Sequence, residues 1–159
     1  MRTSTIVAAV AAAALLVTAG TASGEGNGVV ASASGGWSMS GEAAGSTFEI
    51  RPFTFTVQVY ADGTASGRFN YTQVRDGGEP LVVKGSLDCA TIAGNQAWVG
   101  GVIEESSRAS LVGLDMWFQV QDNGEPGAGD TPDMSSTIGA GGPGTGEQYC
   151  VDAPVVRFP

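Results

Sequence analysis

The sequence predicts an all-β protein: an antiparallel meander forming a small barrel or sandwich, preceded by a signal peptide. Apolar and polar residues alternate strictly in several stretches, which is the period of half-buried strands. Glycine, asparagine, aspartate and proline break the chain every ten residues or so. Outside the first two dozen residues, no amphipathic stretch of useful length carries the helical period.

Met1-Arg2-Thr3 puts one positive charge ahead of an apolar run from Ile6 to Val17, and small residues follow at Gly20-Thr21-Ala22-Ser23. This is the three-part layout of a secretory leader, so residues 1–23 are expected to be removed, leaving a new N-terminus near Ser23. The apolar run is shorter than the roughly 20 residues that span a bilayer. No cysteine near the cleavage region offers a lipid anchor, so no stable membrane anchor is expected. Residues 24–36 are small and polar and read as a flexible lead-in. Order is expected from about Trp37, giving a single β domain over 37–159.

The firmest element follows. Phe53, Phe55, Val57 and Val59 share one phase, and Thr54, Thr56, Gln58 and Tyr60 share the other. Asp62-Gly63 supplies positive-φ positions for a tight hairpin turn, and Ala65, Gly67, Phe69 and Tyr71 resume the alternation. Asp76-Gly77-Gly78-Glu79-Pro80 breaks the chain before a strand from Leu81 to Cys89, and Gly94-Asn95 punctuates a turn before Ala97 to Ile103. The pair Gly100-Gly101 inside that strand points to a bulge or sharp bend. The longest strand is expected over Leu111 to Gln121, and a short one over Met134 to Ile138 between loop-like segments.

Cys89 and Cys150 are the only cysteines. In an exported chain an even pair reads as one disulfide. The runs Asp62-Gly63-Thr64-Ala65-Ser66-Gly67-Arg68-Phe69, Lys84-Gly85-Ser86-Leu87-Asp88-Cys89, Gly94-Asn95-Gln96-Ala97-Trp98-Val99-Gly100-Gly101 and Val120-Gln121-Asp122-Asn123-Gly124-Glu125-Pro126, with Pro132-Asp133, cover most of the mature chain. In these runs the sequence resembles a loose group of uncharacterised secreted bacterial single-domain β proteins. The resemblance implies an exported β domain and carries over no catalytic residue.

Charge and composition remove several function classes. The formal net charge is −9, from 7 Lys and Arg against 16 Asp and Glu, and loss of Arg2 with the leader makes it more negative. A polyanion such as a nucleic acid is repelled by such a chain. There is no histidine, which excludes Ser-His-Asp and Cys-His catalysis and histidine metal sites.

Three constellations are left. The loop Asp122 to Asp133 gathers Asp122, Asn123, Glu125, Asp130 and Asp133 among glycines, the oxygen-rich composition that suits calcium. The same residues are also ordinary turn formers. Trp117 and Tyr60 fall on the polar phases of their strands, where an exposed aromatic face would serve sugar or protein binding. Carboxylates are the only route to catalysis, through pairs such as Glu104-Glu105 or through Asp115; no residue is assigned a catalytic role, because sixteen acids make chance pairs common. The expected function is that of a secreted non-enzymatic β domain that binds a surface partner, whether glycan, protein or envelope component, with calcium as a candidate stabiliser. The alternative is a small secreted hydrolase using carboxylates only.

Overall fold

A computed structural model describes residues 18–19, 28–43, 46–75, 77–124 and 133–155. The strands are β1 (Thr18–Ala19), β2 (Val29–Ala43), β3 (Ser46–Tyr60), β4 (Ala65–Arg75), β5 (Leu81–Ala93), β6 (Gln96–Ser106), β7 (Asp115–Gln121), β8 (Met134–Ser135) and β9 (Gly139–Gly141). A 3-10 turn (Ala109–Leu111) precedes β7, and one helix, α1 (Thr145–Asp152), follows β9. All pairings are antiparallel, in chain order from β1 to β8, with β9 also on β7. The meander is as expected. The closed barrel is not: the nine strands form one open sheet, coiled enough to bring the inner side chains of β3 against those of β7.

Aromatic packing across that coil makes the core. Phe53 on β3 is fully buried, stacks on Trp37 of β2 with centroids 4.0 Å apart, and meets Phe118 of β7 edge-on at 4.9 Å. Phe55 reaches the same Phe118 ring at 5.1 Å. β3 and β7 are not paired in the sheet. These contacts therefore hold the coil shut from the inside, using the inner phase that alternation marked out. Edge-on and offset rings are the arrangements that aromatic quadrupoles favour.

Several elements depart from their expected bounds, each for a local reason. β2 begins at Val29, so 29–36 of the expected lead-in is strand; Ala33 is buried and pairs with Val57. Small polar residues look like a linker in isolation, but here they lie beside β3 and complete its ladder. The turn after Tyr60 has positive φ at Gly63 alone. Gly63 N donates to Tyr60 O, Tyr60 N donates to Thr64 O, and Asp62 accepts from both the amide and the hydroxyl of Thr64. The loop is thus a three-residue one ending in a left-handed glycine rather than a two-residue turn. The expected strand over Leu111 to Gln121 starts late, at Asp115, because Ala109–Leu111 is a 3-10 turn and Gly113 has φ +84.

The C-terminal segment holds the largest difference. Thr145–Asp152 is helical, although its residues carry no apolar stripe and only Gly146 and Cys150 are buried. A helix of this length is not stable by itself in water. It is held by tertiary bonds: the Cys89–Cys150 disulfide, the Thr91 hydroxyl donating to Cys150 O, and Asp115 accepting from Gly146 N.

The disulfide depends on a bulge. Leu87 pairs with Gly101, yet Cys89 pairs with the adjacent Gly100, so Asp88 is an extra residue in β5. Without it, Leu87 and Cys89 would point to the same face. With it, Leu87 enters the core and Cys89 turns to the outer face, where α1 lies. Gly100 allows this contact, since a Cβ there would stand 2.7 Å from Cys89 Sγ and 2.6 Å from Gly146 O. The glycine pair thus marks the bulge, on the strand opposite.

Cys89 and Cys150 are 61 residues apart, and closing a loop of this size stabilises by about 4 kcal/mol in the chain-entropy account. Replacing both cysteines (Cys89→Ser with Cys150→Ser) is therefore expected to lower stability by about 4 kcal/mol in denaturant unfolding. A loss under about 1 kcal/mol would mean that packing and hydrogen bonds alone seat the helix.

Candidate functional site

Residues of the outer phase of β3, β4 and β5 line a shallow trough of about 670 Å3, with Thr56, Gln58, Ser66, Arg68, Ser86 and Asp88 along it. Register brings them together: Gln58 pairs with Ser66, Thr56 with Arg68, and Arg68 with Ser86. Three hydroxyls, an amide, a guanidinium and a carboxylate thus occur on three neighbouring strands. Tyr60, in the same phase of β3, donates its hydroxyl to Gln58 Oε1 at 3.4 Å.

The charges around this face are set by a second bulge. Lys84 pairs with Glu105, and the next residue, Gly85, pairs with Ile103, leaving Glu104 as an extra residue in β6. Glu105 lies 3.1 Å from Lys84 Nζ and Glu104 3.8 Å from Arg68. The adjacent glutamates therefore sit on a strand, each paired with a cation. Exposed pairs of this kind contribute little to stability. Arg68, with 82% of its side chain exposed, is available to a ligand.

A second cleft, of about 460 Å3, adjoins the trough at Asp88 and is walled by α1 through Glu147, Cys150 and Val151. Burial pushes the Asp88 carboxyl above its ordinary value, and the negative charges of Asp115 and Glu147 push it further, against a backbone hydrogen bond that lowers it. Asp115 itself is 7% exposed and accepts from Gly146 N. A carboxylate there satisfies an otherwise unpaired amide of the first helical turn and favours the positive end of the helix dipole. Its role is structural.

The aromatic expectations separate. Tyr60 is half-buried on the trough face. Trp117 is also half-buried, but its ring lies 6.1 Å from Tyr149 of α1 and against Gly139 and Gly141 of β9. A Cβ at Gly139 would collide with the indole. The polar phase of β7 does not face solvent, because α1 lies over it and the Trp117 indole lies across the glycines of the neighbouring strand β9. Trp98 lies on that same covered face, 7% exposed, and donates from Nε1 to Pro154 O.

In the acidic loop, Glu125 and Asp130 lie outside the described residues. Asp122 accepts from Gly124 N, Asp133 accepts from Asn123 N, and Asn123 Oδ1 accepts from Gln121 Nε2. The first is an Asx turn, the second ties Asp133 across the loop to Asn123, and the third joins two side chains. Among the described residues, no group of three or more acidic, cysteine or histidine side chains is placed to hold a metal ion.

Fold and site together define a class: an open antiparallel meander with one face sealed in an aromatic core, and an outer face divided between a disulfide-tethered helix and a polar trough. No family model, curated protein or solved structure matches the chain. The trough went unnamed in the sequence, though the polar alternation Thr54, Thr56, Gln58 signalled its β3 wall. Arg68, Asp88 and Glu147 carried no signal, since register and a bulge bring them into place.

Two measurements follow. An acid whose folded pKa is raised favours the folded state more when protonated, so stability increases as pH falls through that pKa. Asp88→Asn is therefore expected to raise Tm at neutral pH, with the gain shrinking as pH approaches the ordinary aspartate value of 3.8. A lowered Tm at neutral pH would contradict the charge repulsion. Melting in millimolar calcium against EDTA tests the candidate calcium loop, and equal midpoints would leave Asp122 and Asp133 as acceptors for backbone amides alone. A calcium-dependent gain of roughly 2.7 kcal/mol, as ligand at about 100 times Kd would give, would establish a calcium loop instead.

Proposed function

We propose that the chain is a secreted, non-enzymatic β domain that binds a surface partner through the outer face of β3, β4 and β5, with glycans as the ligand class this face suits best. The observation that carries the reading is the in-register set of hydroxyl, amide and guanidinium groups along one trough, beside a half-buried tyrosine. Sugars present vicinal hydroxyls that both donate and accept, and an apolar ring face that lies against aromatic groups. Thr56, Ser66, Ser86 and Gln58 match the first requirement, and Tyr60 supports the second. A protein or an envelope component remains a partner class for the same face.

Secretion is supported by the charged and apolar leader pattern and by the disulfide, a bond that persists in oxidising compartments. Among the described residues, no helix is long and apolar enough to cross a membrane.

The hydrolase reading has one observation in its favour. Asp88 is a carboxyl with a raised pKa in a cleft beside Glu147, and such a shift suits a general acid. A panel of chromogenic glycosides separates the two: turnover abolished by Asp88→Asn would favour the enzyme, and binding without turnover the non-enzymatic domain.

On a glycan array followed by titration calorimetry, the paired change Gln58→Ala with Arg68→Ala is expected to weaken binding at least about tenfold, or about 1.4 kcal/mol. Thermal stability should stay nearly constant, because both side chains lie on the exposed face. Unchanged binding in that variant would remove the trough as the site.

A further inference from the structure

The two ends of the sheet differ in the property that decides whether an edge accepts another strand. At one end β7 is covered by β8 and β9, of two and three residues, with Ser136 to Ile138 between them and Pro143 just beyond. Short, interrupted edges offer no continuous row of backbone donors and acceptors. At the other end β2 is fifteen residues long, and among the described residues only Thr18 and Ala19 pair along its outer side, opposite Ser32 and Ala31. From Val29 to Gly41 it carries no charge and no proline, in a chain of sixteen acids. Charged residues and proline are the usual protections of an edge, and this stretch has neither. Its register against β3 shifts between Val29 and Ala31 and again between Trp37 and Met39, which leaves Ala31 to Trp37 as one regular ladder.

We propose that this ladder is a docking edge for a second copy of the chain, the two β2 strands pairing antiparallel about a two-fold axis at Ser34 and joining the two sheets into one. Three features select a second copy. β1 already seats antiparallel on Ala31 and Ser32, so the edge accepts a strand in that direction, and cleavage near Ser23 would remove it. That step rests on the secreted reading above. The edge is neutral, so two copies whose acidic surfaces repel elsewhere meet where neither carries charge, and the small residues Ala33, Ser34, Gly35 and Gly36 permit close approach. Finally, isologous pairing consumes the long edge of each copy and leaves only the short ones, so assembly closes at two instead of continuing as a fibre.

Intact and native mass spectrometry of the secreted protein at micromolar concentration tests this. The expected species is a dimer of chains that begin near Ser23. Ser34→Glu, which sets two carboxylates opposite each other, should raise the dimer dissociation constant at least tenfold. Ser110→Glu, the same charge change in the exposed 3-10 turn, should leave it unaltered. Directly opposed residues bring their Cβ atoms within about 5 Å, so Ser34→Cys should yield a covalent dimer on a non-reducing gel. A monomer, a dimer insensitive to Ser34→Glu, or a complex with a different protein would each overturn the proposal. Failure of the secreted reading shows separately, as retention of Met1 to Thr21 in the intact mass. In that case a Ser34-sensitive dimer still supports the edge, with β1 displaced by the second copy, and a monomer overturns the proposal because β1 then holds the edge.

Discussion

The extra residue at Asp88 is the constraint on which the two-sided architecture depends. A β-strand alternates its side chains without exception, so a strand that supplies Leu87 to the core supplies Cys89 to the same side. One inserted residue reverses that assignment and places the sulfur on the outer face, opposite Gly100. The disulfide then fixes α1 to β5, and α1 lies over the outer face of β6 and β7, with the Trp117 indole lying across the glycines of β9 beside it. Both faces of β7 are buried as a result, which is unusual for an antiparallel sheet with one solvated side.

The inner face follows a different logic. It needs no covalent tie, because Phe53, Phe55 and Phe118 meet across the coil and Trp37 closes over them. Sheet twist turns the strands toward one another, and the rings fill the interior without backbone pairing between the two end strands. An open sheet keeps two edges. Here one is short and interrupted by Ser136, while the other is the long neutral strand β2.

The outer face is thereby divided. Beyond α1, over β3 to β5, nothing described covers the sheet, and the trough collects polar groups that the core excluded. Asp88 stands where the two halves meet, lining both clefts. The same bulge that turns Cys89 outward therefore sets a carboxyl at the border of the helix and the trough, close enough to Asp115 and Glu147 to feel their charge.

The β class, the inner phase of β3, the Asp62-Gly63 hairpin and the pairing of two cysteines were all legible in the sequence. Each is local, or forced by count: alternation records which face is buried, glycine records a positive φ, and two cysteines allow one intramolecular bridge. The open sheet, α1, the fate of Trp117 and the trough were not legible. Thr145–Asp152 has no helical pattern because its helix is selected by bonds to Cys89, Thr91 and Asp115, more than thirty residues distant in each case but brought near by the sheet. Trp117 occupies a polar phase in β7, and a sequence period cannot tell solvent from a covering helix. The residues from Val29 to Gly36 have the composition of a linker and become strand because β3 offers a ladder. Local chemistry thus determined which residues turn inward. Which outward faces stay open depended on long-range closure, which a two-residue period does not encode.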